Sequence, residues 1–122
     1  MAGHVPDSLK QSLVQAVGGS LDLAFRPMFG GIAAYVDGKV FAMLSDVGLA
    51  FKLAAPDRDA LLAVPGARPL QYDPYKPPSR SYVSVPDTML ADLPALAGWA
   101  RRSARHVATL PAKASGKREA DG

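Results

Sequence analysis

The sequence predicts an α+β domain, an antiparallel sheet entered as a meander and packed against an N-terminal helix and a long C-terminal helix. Three observations predict it. Asp37–Gly38 divides two apolar runs, Ile32–Val36 and Val40–Leu44, and a two-residue hairpin turn needs the positive φ that Asp-Gly adopts cheaply. Leu49–Leu53 and the alternating run Ser81–Val85 supply further strands. Apolar residues at helical spacing open the chain at Leu9, Leu13, Val14 and Val17, and close it at Leu93, Leu96, Ala97, Ala100, Ala104 and Val107.

Pro6–Asp7–Ser8 offers a cap for the first helix, and Gly18–Gly19 ends it. Leu21–Phe29 reads as a strand in which Pro27, unable to donate to a ladder, marks an edge or a strand start. Gly30–Gly31 follows at a bend, a bulge or a close approach of another backbone; amides that bind an anion are the functional alternative. Across the Asp37–Gly38 turn, strict alternation puts Ile32, Ala34 and Val36 on one face, with Ala33 and Tyr35 on the other. The same rule sets Phe41 and Met43 against Val40, Ala42 and Leu44. Ser45–Gly48 is a second turn, and Pro56 opens a short helix that Pro65–Gly66 stops. Leu70–Arg80, dense in proline and tyrosine, reads as a brief strand entering a rigid loop. Met89 and Leu90 fall in a short turn, after which Asp92 caps the closing helix with Pro94 in its first turn.

At 122 residues the chain suits one domain, here residues 1–111, with 112–122 as a basic disordered tail. It has no cysteine, which excludes disulfides, thiolate metal sites and a thiol nucleophile. No apolar run is long enough to span a bilayer, and Met1–Val5 lacks the order of a signal peptide, so a cytoplasmic location is expected. The net charge of +3 is unevenly placed: eight basic residues face nine acidic ones up to Gly98, whereas six face two from Trp99 onward. An anionic partner would meet that end.

Catalytic groups are sparse. His4 lies near the terminus, His106 falls among arginines near the end of the last helix, and no spacing assembles a metal site, a phosphate loop or a dinucleotide motif. A non-enzymatic protein with no cofactor is therefore expected. Two clusters merit a place. Arg26, Gly30, Gly31, Tyr72, Lys76 and Arg80, with Tyr82, would form a ligand or partner contact if the sheet sets the Tyr72–Tyr82 segment beside the glycine bend. The plainer alternative pairs Arg26 with Asp73 or a neighbouring carbonyl and leaves Lys76 and Arg80 solvated. Arg101, Arg102, Arg105, Lys113, Lys117 and Arg118 form a basic cluster suited to weak, salt-dependent nucleic-acid contact, or simply to a solvated face.

Several motifs in order carry a resemblance. Arg26 and Met28–Phe29–Gly30–Gly31, the Asp37–Gly38 turn, Val40–Leu44, Leu49–Lys52, and Tyr72, Lys76, Ser81–Tyr82 and Val85–Pro86 lead into Leu90, Leu96, Trp99 and Ala104. From Leu9 to Val107 the chain resembles the N-terminal domain of the TfoX/Sxy family, whose full-length members regulate bacterial competence for DNA uptake. The resemblance implies an α+β fold and an interaction module in transcriptional regulation, acting through a protein partner. Full-length members add a C-terminal helical domain, for which the residues after Pro111 leave no room, so it implies a stand-alone N-terminal domain. The crowding of Pro74, Pro77 and Pro78 departs from the family pattern.

Overall fold

Asp37 and Gly38 take φ values of 53° and 80°, so the turn expected from their sequence forms. The computed structural model describes residues 7–28, 31–46, 48–71 and 75–110. They form helix α1 (Asp7–Val17), strands β1 (Leu23–Met28), β2 (Gly31–Val36), β3 (Lys39–Ser45) and β4 (Gly48–Lys52), and helix α2 (Ala55–Leu62). Strands β5 (Arg68–Pro69) and β6 (Tyr82–Ser84), a 3-10 turn (Asp87–Ala91) and helix α3 (Leu93–Ala108) complete them. All strand pairs are antiparallel, in one six-stranded sheet ordered β1-β2-β3-β4-β6-β5. The fold is α+β, as the sequence predicts.

Helices α1 and α3 cover one face of the sheet. Leu9, Leu13 and Val17 of α1 and Leu96, Ala97, Ala100 and Val107 of α3 are buried against Phe41, Leu44, Leu49 and Phe51. The rings of Phe41 and Phe51 lie tilted with centroids 6.2 Å apart. Asp92 caps α3 as expected, its Oδ1 accepting from the Ala95 amide at 3.3 Å. On the opposite face a smaller cluster gathers Ala33, Met43, Ala50 and Leu70, flanked by Tyr35, Val40 and Tyr82.

The strict alternation expected for β3 is corrected. The β2–β3 ladder pairs Ala34 with Ala42 and Tyr35 with Val40, leaving Phe41 unmatched. A bulge of this kind adds one residue and resets the alternation. Phe41 therefore joins Ala42 and Leu44 in the main core, while Val40 and Met43 face the other way.

Other boundaries shift for local reasons. The first strand begins at Leu23, because the amides of Ser20 and Leu21 both donate to the Val17 carbonyl and prolong the helix end. The strand expected from Leu70 is instead Arg68–Pro69, paired with Ser84 and Val83 at the sheet's outer edge, where proline costs least. Helix α2 ends at Leu62, ahead of Pro65–Gly66. Gly31 answers to close approach: a Cβ there would lie 2.6 Å from the Leu44 carbonyl oxygen. Phe29, Gly30, Val47, Tyr72, Asp73, Pro74 and the proposed tail lie outside the described residues.

Helix α3 is fastened to the sheet by two polar contacts that its apolar periodicity conceals. Ser103 is 0% exposed, and its hydroxyl donates towards both the Phe41 and Lys52 carbonyl oxygens at 2.7 Å. One hydroxyl carries one proton, so the two bonds share it. The Lys39 ammonium, beside the hairpin turn, donates to the Leu110 carbonyl at 2.7 Å and the Ala108 carbonyl at 3.3 Å, where the helix leaves carbonyls without partners. Ser103→Ala removes a buried hydroxyl from a site water does not reach and is expected to cost about 1–3 kcal/mol. Urea denaturation, showing a lower midpoint at unchanged slope, checks it.

Candidate functional site

Arg26 stands on β1, opposite Ala33, while Ala24 stands opposite Tyr35. Period-two alternation thus sets Asp22, Ala24 and Arg26 on the face that the helices leave open. The Arg26 guanidinium lies 5.6 Å from the centre of the Tyr35 ring, a cation–π arrangement. Asp22, Ala24, Arg26, Tyr35, Asp37 and Gly38 line a shallow depression of about 230 Å³. A wider groove of about 560 Å³ runs beside β5, walled by Pro65, Arg68, Gln71, Pro86, Asp87 and Thr88.

The strand order parts the first expected cluster. Tyr82, on β6, shares the open face with Tyr35, but β6 stands four strand spacings from β1, roughly 19 Å. Lys76 and Arg80 are exposed on the segment leading into β6, and neither lines the depression at Arg26. Gly31 is spent on packing against Leu44, while Gly30 and Tyr72 lie outside the described residues. Asp73, the expected partner of Arg26, is also outside them, and Tyr35 supplies the observed contact.

The segment entering β6 is nonetheless braced. Gln71 Nε2 donates to the Lys76 carbonyl at 2.8 Å, and the Ser79 amide donates to the Leu70 carbonyl at 2.7 Å. The Ser79 hydroxyl oxygen accepts from the amides of Ser81 and Tyr82 at 3.1 and 2.9 Å. Within this frame Tyr75 is 95% exposed. Sequence reasoning read the segment as a rigid loop without singling out Tyr75; an aromatic flanked by prolines was the signal.

On α3, Arg101 and Arg105 are exposed one turn apart. Arg102 is engaged otherwise, 3.5 Å from an Asp57 carboxylate oxygen and stacked 4.5 Å over the Trp99 ring. Lys113, Lys117 and Arg118 lie outside the described residues. His106 is half-buried; burial holds its pKa below the ordinary 6.5, the nearby Lys52 charge adds to this, and Asp57 opposes it. Among the described residues, no group of three or more His, Cys, Asp or Glu is placed to hold a metal ion, and no helix is long and apolar enough to cross a membrane.

The family model of the TfoX N-terminal domain matches residues 15–107. That span runs from the last turn of α1 through every strand to the last turn of α3. No curated protein and no solved structure matches the chain.

His106 links stability to pH. Its folded pKa lies below the unfolded one, so the unfolded chain takes up the proton first as pH falls. The contribution is complete above about pH 6.5 and is lost as pH drops from there through the folded pKa. Denaturation midpoints measured between pH 7.5 and 5 are expected to fall for the wild type and to fall less for His106→Gln.

Proposed function

Because the chain belongs to the TfoX N-terminal domain family, we propose that it is a non-enzymatic interaction module, working in transcriptional regulation by binding a protein partner. Tyr75 is the observation behind the choice of a protein. An aromatic ring exposed at 95% on a braced segment loses solvent contact only when something docks on it. Tyrosine serves such contacts well, with a large apolar face, a polar tip and few rotamers to freeze. Lys76 and Arg80 beside it add charge at the rim of the same segment.

Affinity capture with the full chain from its own cell extract tests the reading. The expected result is a reproducibly retained protein whose binding weakens by roughly thirtyfold, or about 2 kcal/mol, on Tyr75→Ala. Equal retention by wild type and Tyr75→Ala, with both folded by circular dichroism, overturns it.

A second reading, weak nucleic-acid contact through α3, is supported by the exposed pair Arg101 and Arg105. It expects duplex binding that falls steeply with salt and disappears when Arg101→Glu and Arg105→Glu are combined. Binding insensitive to both excludes it.

A further inference from the structure

The outer edge of β1 has no strand beside it among the described residues, yet its sequence is complementary to itself. Pro27 lacks an N–H, so its pair with Ile32 is a non-hydrogen-bonded one. Alternation then makes Ala24, Arg26 and Met28 the residues that bond β2. The backbone groups of Leu23 and Phe25 point outward, away from the sheet.

We propose that this edge pairs with β1 of a second copy of the chain, antiparallel about a two-fold axis through Ala24. In that register Leu23 meets Phe25 of the second copy, and each pair exchanges both backbone hydrogen bonds. Asp22 meets Arg26 of the second copy, and Arg26 meets its Asp22. Both charges are exposed in the single chain and lie on the open face. Leu23 and Phe25, half-buried on the helix-covered face, meet each other across the axis. Alanine, small enough for close approach, occupies the axis itself.

Neighbouring registers are worse on the same grounds. Centring on Phe25 would part Arg26 from Asp22 and would set Pro27, which lacks an N–H, opposite the free edge groups of Leu23 instead of opposite Leu21, whose amide is already engaged. Centring on Leu23 would set Phe25 opposite Leu21, whose amide already donates to the Val17 carbonyl at 2.8 Å. Pro27 thus limits the pairing length without preventing it, and it discourages other strands from extending the edge.

The two-fold axis runs normal to the sheet, so helices from both copies share one side and the open faces share the other. The depressions lined by Asp22, Arg26 and Tyr35 adjoin at the axis. Each is completed by charges of the second copy. This inference stands apart from the role given to Tyr75, which lies towards the opposite edge of the sheet.

Sedimentation equilibrium on the full chain over a concentration series tests it. The expected result is a mass rising from one chain to two. Arg26→Asp alone and Asp22→Arg alone each set like charges together and are expected to weaken association by about tenfold or more. The double variant restores opposite charges and regains it. Ala24→Cys provides a second readout, since the chain has no cysteine of its own. The paired Cα atoms would stand about 4.5 Å apart, within the disulfide range of about 4.4–6.8 Å, so mild oxidation should give a covalent dimer. A single-chain mass at every concentration overturns the proposal. So does a dimer indifferent to the charge exchange, or an Ala24→Cys chain that oxidation leaves uncrosslinked.

Discussion

The contact between Ser103 and the bulge at Phe41 is the constraint on which the rest of the structure turns. Phe41 is the residue of β3 without a partner in β2, and Ser103 brings α3 to its carbonyl and to that of Lys52. A hydrophobic stripe alone fixes which face a helix buries but only loosely where along the sheet it lies. A buried hydroxyl has few places to go, and leaving it unpaired costs about 1–3 kcal/mol. Ser103 thus sets the register of helix on sheet, and Lys39 fixes the helix end to the hairpin. The bulge also turns Phe41 inward to meet Phe51, so one irregularity serves both the polar anchor and the aromatic centre of the core.

This anchoring leaves the two sides of the sheet with different work. The helix-covered side holds the large cluster, with Leu13, Leu44, Leu96 and Val107 at 0–1% exposure. The other side holds four buried residues, two of them alanines, flanked by tyrosines and Val40. Alanine contributes little area there, and burial scales with area, so that side adds modestly to stability and stays open beyond its centre. Arg26 and Tyr35 occupy its β1 side, and the braced segment with Tyr75 enters β6 on the other.

Much of this was legible in the sequence, for reasons that are local. The Asp37–Gly38 turn follows from backbone sterics, the Asp92 cap from one side chain and one amide, and the faces of β2 from a period of two. The bulge was not legible, because nothing in the run Val40–Leu44 distinguishes an unmatched residue from a matched one. Ser103 was hidden by its own polarity: a serine in an apolar stripe reads as a gap until the carbonyls it meets are known. For the described members of the candidate cluster at Arg26, strand order sets the separation. After α2 the chain returns to the sheet as β5 at the edge farthest from β1, and β6 then fits between β5 and β4. Tyr82 and Arg26 consequently share a face but occupy strands far apart, a separation set by strand order and invisible to residue spacing.

The same strand order decides how the charges can act. Arg102 is held by Asp57 and Trp99, which reduces the basic face of α3 among the described residues to Arg101 and Arg105. Two exposed guanidinium groups in water, each screened beyond about 8–10 Å at ordinary salt, give attraction without selectivity. On the open face Arg26 is better fixed, since it rests on Tyr35 beside Asp22 and Asp37. Recognition needs groups whose positions are settled before the partner arrives, because ordering them on contact consumes the affinity gained. The stacked Arg26 meets that condition, whereas Arg101 and Arg105 of α3 stand exposed and supply only field. The pre-set charge therefore lies on the open face of the sheet, and the helical side holds that face in shape through Ser103 and Lys39.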